Sequence, residues 1–116
     1  MGRAAAEPLL HVLMGTMVLS VAGNAPDLTA RQLAIFLKIY LEPETEQTVR
    51  GLAAALNISK PAITRALDRL EELAFARRAT DPKDRRSVIP RRTTTGSAYL
   101  RTLADYITKA SKQGKK

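Results

Sequence analysis

Hydrophobic residues recur at helical spacing in five segments of the chain, with short polar stretches between them. The pattern predicts helices over about 8–22, 29–42, 49–56 and 60–74, and a last helix that begins near residue 94. Before that last helix, the stretches 75–80 and 87–91 are typical of two short strands around a charged turn, DPKDRR. The predicted order is α-α-α-α-β-β-α, a mainly helical chain with a small β-hairpin.

The first predicted helix is apolar around nearly its whole circumference. Pro8 suits its first turn, and it should end near Ala22, before Gly23. Its apolar residues are Leu9, Leu10, Val12, Leu13, Met14, Met17, Val18, Leu19 and Val21. A helix that is apolar on all sides must be buried on all sides, so we expect another subunit to cover it. The run from Leu9 to Val21 is too short to span a membrane and its flanks suit a secretion signal poorly, so no membrane association is expected.

The second and last helices show apolar residues on one face. Thr29 is a good N-cap for the second helix, and Pro43 should end it. Its apolar residues are Leu33, Phe36, Leu37, Tyr40 and Leu41. Thr93 or Thr94 would cap the last helix, which carries Leu100, Leu103, Ala104 and Ile107. Residues 111–116 hold three lysines and are expected to form a solvated tail.

The third and fourth helices have the spacing of a helix-turn-helix. The short third helix packs through Val49, Leu52, Ala53 and Leu56, and the fourth through Ile63, Ala66, Leu67, Leu70, Leu73 and Ala74. Asn57 stands where the turn needs a left-handed residue, and Ser59 is expected to cap the fourth helix. An isolated amphipathic helix would be unremarkable; the short helix immediately before it favours a DNA-binding motif.

The face of the fourth helix opposite its apolar residues carries DNA-binding chemistry. Its outward residues are predicted to be Pro61, Thr64, Arg65, Asp68 and Arg69, after Lys60 in the first turn. A helix N-terminus that enters the major groove meets phosphate with its free amides. Arg65 could bind a guanine edge and Thr64 a thymine methyl or a phosphate. At the start of the third helix, Thr48 and Arg50 are placed to hold phosphate.

The predicted hairpin is strongly basic. Lys83, Arg85 and Arg86 are expected at its tip, where narrow A·T-rich minor grooves attract arginine. Asp84 would hold an arginine side chain by a bidentate pair. The strand bases carry Arg77, Arg78, Arg91 and Arg92, expected to attract phosphate, while Pro90 limits the second strand to an edge.

Composition supports a polyanionic partner and excludes several kinds of chemistry. The 116 residues are most simply one small domain, with a formal net charge of +8 and a pI of about 10.3. Basic residues outnumber acidic ones between Arg77 and Arg101. The sequence has no cysteine and a single histidine, His11, so no metal site, cofactor or enzymatic centre is expected.

At this point the sequence resembles the MarR family of winged helix-turn-helix transcriptional regulators. The resemblance is carried by LAAALNISKPAITRALDRLEEL, RRATDPKDRRSVI and RTTTG, and it extends over roughly Leu28 to Tyr106. It implies a homodimer that binds a pseudo-palindromic site in double-stranded DNA. By the family's pattern, Arg86 matches the wing arginine of the minor groove and Asp84 the aspartate that braces it.

The chain departs from the family pattern in three places. Arg92 and Thr93 stand where the family has Leu-Thr, Pro90 interrupts a normally apolar strand, and only some twenty residues follow Thr93. The apolar N-terminal helix would compensate for the short C-terminus in the dimer contact. Many relatives bind small aromatic anions, which implies a small-molecule effector of unidentified structure.

The sequence therefore predicts a cytoplasmic winged helix-turn-helix regulator, acting as repressor rather than activator, with a two- to three-stranded wing. Residues 1–27 would form an N-terminal dimerisation helix, 28–96 the DNA-binding domain and 97–116 a C-terminal dimerisation helix with a basic tail. The alternatives are a non-specific architectural DNA binder and a winged helix that binds protein. A protein-binding helix should expose apolar residues where this one has Thr64 and Arg65, and RNA binding would need exposed aromatic residues.

Overall fold

The structure is a computed structural model, which describes residues 2–42 and 47–113. Within those residues the chain forms five helices and one two-stranded antiparallel sheet. The elements are α1 (Arg3–Ala22), α2 (Ala30–Leu41), α3 (Val49–Leu56), α4 (Lys60–Glu72), β1 (Ala76–Asp81), β2 (Asp84–Arg92) and α5 (Thr94–Gln113). The predicted order of elements and the mainly helical fold class are confirmed.

The chain divides into two compact units. The central unit is Leu28–Ala98, and the terminal unit consists of the residues up to Asp27 together with those from Tyr99 onward. The helix α5 therefore contributes Thr94–Ala98 to the central unit and the rest of its length to the terminal unit.

The core of the central unit lies where α2 and α3 pack on α4. Its fully buried side chains are Ile35, Phe36, Leu52, Ile63, Leu67, Leu70 and Ile89. The Phe36 ring stacks on Tyr40 at a centroid distance of 4.5 Å and meets the edge of Phe75 at 5.8 Å. The predicted apolar face of α2 is shifted, because Ile35 and Ile39 are buried whereas Leu41 is exposed at the helix end.

Local hydrogen bonds fix the helix ends of the central unit as the sequence predicts. Thr29 and Gln32 form a reciprocal capping box at the start of α2. The Ser59 hydroxyl accepts from the Ala62 amide at 3.2 Å at the start of α4. Asn57 adopts the left-handed conformation between α3 and α4, with φ 55°. The expected role of Pro43 in ending α2 falls outside the described residues.

The fourth helix ends earlier than its apolar pattern predicts. It finishes at Glu72, and Ala74 lies beyond it with φ 61°, exposed rather than on the buried face. The Phe75 amide then donates to the Leu70 carbonyl at 2.8 Å, which closes the helix in a Schellman-like turn. The hairpin strands begin directly after this turn.

The hairpin is longer and its turn tighter than predicted. Strand β2 begins at Asp84, so only Pro82 and Lys83 form the turn, and Arg85 and Arg86 lie within the strand. The prediction that both arginines stand at the tip is wrong. A register shift between Thr80 and Asp81 accommodates this tight closure, and β2 continues through Pro90 opposite Arg78.

The helix α1 begins at Arg3, five residues before its predicted start, so Pro8 lies inside it. Residues Ala4–Ala6 are strong helix formers, and a proline so near the N-terminus removes few hydrogen bonds. At 20 residues, α1 is now long and apolar enough to cross a membrane by length and composition alone. Signal sequences and buried core helices meet the same criterion.

The terminal unit uses small and polar residues for its internal packing. Thr16 and Ser20 are the buried residues of α1, and Gly15 approaches Ala110 of α5 so closely that an added Cβ would lie 2.8 Å from the alanine Cβ. The large apolar side chains of α1 instead remain exposed. Leu9, Leu10, Leu13, Met14, Met17, Val18 and Val21 are between 40% and 70% exposed, and Ile107 of α5 is 48% exposed. Of the predicted basic tail, residues 114–116 lie outside the described residues.

Candidate nucleic-acid interface

The helix α4 presents a polar, partly cationic face near its N-terminus. Ile63, Ala66, Leu67 and Leu70 point inward, and the 100° periodicity therefore leaves Pro61, Thr64 and Arg65 exposed, as predicted. Together with Lys60 these residues border a shallow surface depression of about 540 Å³. The side chains of Pro61 and Thr64 are short, which allows a ligand to approach the backbone of α4 closely.

The start of α3 lies next to this face. The Thr48 hydroxyl accepts a hydrogen bond from the Gly51 amide at 2.9 Å, so Thr48 is the N-cap of α3. Its hydroxyl proton is a donor that a phosphate oxygen can accept. Arg50 is exposed in the first turn of α3. The helix dipole adds partial positive charge at the same end.

A single groove of about 410 Å³ brings together residues from α3, α4 and β2. Its lining residues are Thr48, Val49, Arg50, Lys60, Thr64, Asp84, Arg86, Ser87 and Val88. Six of these are predicted site residues, although they are separated by up to 38 positions in the chain. Because the groove holds three cationic side chains and one carboxylate, it suits a polyanion better than a single small anion.

Asp84 acts on the hairpin backbone. Its Oδ1 accepts from the Arg86 amide at 3.0 Å and its Oδ2 from the Ser87 hydroxyl at 3.2 Å. We expected the carboxylate to hold an arginine side chain, but its hydrogen bonds in the described structure go to these two groups. The carboxylate therefore fixes the start of β2, and the Arg86 side chain is exposed.

Five predicted site residues lie outside both depressions, and one of them is Ser59, the N-cap of α4. Lys83 is in the hairpin turn, where its amide donates to Asp81 at 2.9 Å, and Arg85 follows in β2. Arg77 is exposed on β1 opposite Arg91 in the register. Arg69 is half-exposed on α4 and lies 3.5 Å from Glu72.

The Arg78 side chain is bound to two carboxylates of α4. Its Nη2 lies 2.7 Å from an Asp68 carboxylate oxygen and 2.8 Å from one of Glu71. Its backbone amide also donates to the second Glu71 oxygen at 3.1 Å. We call these three residues the Arg78 clamp. The hydrogen bond from the Arg78 side chain is the main reason that the pKa of Glu71 is lowered, and the same bond raises the pKa of Arg78.

Arg92 is likewise engaged within the protein, because its Nε donates to the Ile39 carbonyl at 2.9 Å. Both side chains therefore make hydrogen bonds within the protein, and their attraction of phosphate stays a prediction. Each stands at a strand base where the neighbouring helix supplies acceptors. Sequence position alone makes all four strand-base arginines equivalent, and only the packing of the hairpin distinguishes them.

Three groove residues, Val49, Ser87 and Val88, were not predicted as site residues. Val49 was expected only in the packing of α3, and Ser87 and Val88 line the groove because α3 packs against β2. The Arg78 clamp was also missed. The available signal was two acids one turn apart on α4, Asp68 and Glu71, followed by an arginine at the first strand.

Comparisons with known proteins agree with this geometry. The MarR family model matches residues 27–87, which is more than half of the chain and includes α3, α4 and the first part of β2. No curated protein matches the sequence.

Several solved structures share the fold. The transcriptional regulator Tm0710 from Thermotoga maritima is 22% identical, with a TM-score of 0.73 over 96% of this chain and 72% of that chain. A mutant MarR from E. coli is 25% identical, with a TM-score of 0.69 over 97% of this chain and 79% of that chain. The same E. coli protein in complex with operator DNA gives 24% identity and a TM-score of 0.65 over 94% of this chain and 71% of that chain.

Proposed function

Because the chain belongs to the MarR family of transcriptional regulators, we propose that it binds specific sites in double-stranded DNA as a homodimer and represses transcription in the cytoplasm. The α4 helix is the recognition helix of the major groove, and the β1–β2 hairpin, the wing, contacts the adjacent minor groove. The observation that carries the proposal is the convergence of Thr48, Arg50, Lys60 and Arg86 on one groove.

The exposed N-terminal part of α4 supports base reading. Arg65 is exposed beside small neighbours, so its guanidinium can reach the O6 and N7 acceptors of guanine. Thr64 lines both depressions and can contact a thymine methyl or a phosphate. The acids of α4 are at its C-terminal half, and two of them are neutralised in part by Arg78.

The groove supports backbone binding. Arg50 and Lys60 flank the capped N-terminus of α3, which supplies amide donors and a positive dipole end. Such contacts fix the register of a protein on DNA without reading sequence. Arg86, on the other side of the groove, is the wing cation of the minor groove.

Dimerisation is proposed from the exposed apolar surface of α1. Seven large side chains of α1 are exposed although its buried residues are Thr16 and Ser20. Contiguous apolar surface on this scale marks an association site. A second copy is the natural partner because a pseudo-palindromic operator presents two equal half-sites. A small-molecule effector stays a prediction of the family resemblance.

Fluorescence anisotropy with the DNA upstream of the protein's own gene tests sequence-specific binding. Arg65→Ala and Arg86→Ala should each weaken binding to the preferred site by about 10- to 100-fold, since each loses a groove contact. Arg31→Ala is the matched control, because Arg31 is an exposed arginine on α2 away from the groove. Equal losses for all three variants would show that only bulk charge matters.

A salt titration in the same assay separates the roles of the groove residues. Wild-type affinity should fall steeply with salt, and Lys60→Ala or Arg50→Ala should each reduce the slope by about one counterion. Equal affinity for every duplex would favour the non-specific architectural binder. The protein-binding alternative predicts no salt-dependent DNA binding, but the polar face at Thr64 and Arg65 does not favour it.

A further inference from the structure

The wing is attached to the recognition helix by an ionic contact as well as by hydrophobic packing. The Arg78 guanidinium on β1 contacts Asp68 and Glu71, two carboxylates one turn apart on α4. The Arg78 amide contacts Glu71 as well, so one carboxylate holds both the side chain and the backbone of the same strand residue. Contact through both the backbone and the side chain of Arg78 restricts the movement of the strand more than a single ion pair would.

We propose that Arg78, with Asp68 and Glu71, is a positioning residue for DNA binding: the clamp sets the angle of the wing relative to the recognition helix. The inference rests on the proposed function, because it assumes that both elements contact one duplex. Arg78 itself contacts no DNA in this proposal. Arg78 acts indirectly, because the position of the wing determines where the Arg86 side chain lies.

The geometry of the hairpin amplifies small rotations at the clamp. From the Arg78↔Pro90 pair to the Asp81↔Asp84 pair the hairpin extends three residues, or about 10 Å at ~3.3 Å per residue. A rotation of about 10° at the clamp would therefore move the wing end by about 2 Å. Hydrogen bonds weaken steeply over such a displacement, so Arg86 would lose its contact in the groove.

Stability alone does not account for the clamp. Its side chains remain partly exposed, at 27% for Arg78, 54% for Asp68 and 40% for Glu71. Ion pairs with this exposure add little to folding stability. Asp68 and Glu71 also place two negative charges on α4, the helix that approaches the DNA in the proposed complex. Their repulsion of the phosphates would weaken DNA binding unless the correct placement of the wing compensates for it.

Loss of the negative charge of Glu71 should tighten DNA binding, whereas loss of its contact with Arg78 should weaken it. The direction of the change in affinity therefore distinguishes the two roles. Glu71 and Glu72 are adjacent and exposed in the last turn of α4, but only Glu71 belongs to the clamp. If charge alone matters, Glu71→Ala and Glu72→Ala should both tighten DNA binding. If the clamp positions the wing, Glu71→Ala should weaken specific binding by about tenfold, whereas Glu72→Ala should leave it equal or slightly tighter.

A double-mutant cycle with Arg86→Ala identifies the route of the effect. When Arg78 and Glu71 act by placing Arg86, the loss from Glu71→Ala should be much smaller in a chain that already lacks the Arg86 side chain. A clamp that only maintains the fold would give losses that multiply. Arg78→Met should reproduce the Glu71→Ala result, and the melting temperature of each variant shows whether it is folded at the assay temperature.

The outcomes separate this inference from the proposed function. Loss of binding in Arg65→Ala together with equal behaviour of Glu71→Ala and Glu72→Ala would overturn only the positioning role. Multiplicative losses in the cycle would overturn it as well. Unchanged binding in Arg65→Ala and Arg86→Ala would overturn the proposed function itself.

Discussion

Individual polar residues determine where the helices of the central unit begin and turn. Asn57 adopts φ 55° and ψ 45° between α3 and α4, and Ser59 caps α4 two residues later. Tyr40 is buried and connects separate parts of the chain, because its hydroxyl donates to the Phe75 carbonyl at 2.7 Å and accepts from the Thr93 amide at 3.0 Å. Thus a few side chains fix the start of α4 and of α5.

Replacement of Asn57 tests the left-handed turn. Asn57→Val should destabilise the protein by about 1–2 kcal/mol, because a β-branched residue resists positive φ. Asn57→Gly should leave stability nearly unchanged, since glycine adopts this conformation freely. Urea denaturation measures both values, and equal effects of valine and glycine would contradict the assignment of strain to the backbone.

Tyr40→Phe tests the buried hydroxyl. The substitution leaves the Phe75 carbonyl and the Thr93 amide without their partner, so the free energy of unfolding should fall by about 1–3 kcal/mol. Gly96 approaches the same hydroxyl so closely that an added Cβ would overlap it. Gly96→Ala should therefore destabilise as well, whereas Thr95→Ala at an exposed neighbouring position should not.

At the scale of the helices and strands, the ionic contact between α4 and the wing should weaken as the pH falls. The pKa of Glu71 is lowered, mainly because the Arg78 side chain donates a hydrogen bond to its carboxylate. A carboxyl group whose pKa is lowered in the folded state stabilises that state at pH values above its ordinary pKa. The contribution should be complete at neutral pH and lost as pH falls through the folded-state value, below the ordinary 4.5.

The amide signal of Arg78 in NMR spectra provides the measurement, since this amide donates to the Glu71 carboxylate. Its chemical shift should titrate with a midpoint below 4.5 in the wild type. In Glu71→Gln the titration should vanish. A titration of this amide that persists in Glu71→Gln would contradict the assignment to Glu71.

The helix pair α1 and α5 of the terminal unit depends on a close approach at Gly15. Gly15→Leu should force the helices apart at Ala110 and lower stability by about 1–3 kcal/mol, the usual cost of overpacking. Met14→Leu, at a position that is 58% exposed, is the control and should have little effect. Thermal unfolding followed by circular dichroism distinguishes the two.

Elements defined by local chemistry could be predicted from the sequence, and elements defined by packing could not. The caps at Thr29, Ser59 and Asn57 depend on neighbours within a few residues, so α2 and α4 begin, and α3 ends, where expected. The partners of Arg78 and Arg92 belong to other elements, and no spacing rule distinguishes these arginines from Arg77. The predicted start of α1 at Pro8 is wrong because proline often marks the first turn of a helix, whereas Pro8 lies inside this one.

For the whole molecule, the exposed apolar surface of α1 determines the expected assembly. Leu13→Glu combined with Val18→Glu should give a monomer and abolish tight operator binding, because two half-sites would no longer be bound together. Sedimentation equilibrium measures the mass. Thr95→Glu, an exposed change outside this surface, should preserve the dimer.

Two results would contradict this proposal. A wild-type chain that stays monomeric at micromolar concentration would exclude dimerisation through α1. Stable binding of the wild type to neutral lipid vesicles, lost in the Leu13→Glu and Val18→Glu variant, would instead favour membrane association of this 20-residue helix.

Glycine, threonine and serine form the inner face of α1, so selection for folding and selection for association act on different residues of this helix. Because the large aliphatic side chains take little part in holding the helix against its own chain, changes at Leu9 or Val21 should leave a single copy folded. In the proposed dimer, the choice of partner can therefore change without loss of the fold of each copy. Duplicated copies of such a regulator could cease to mix with one another through a few changes on the outer face of one helix.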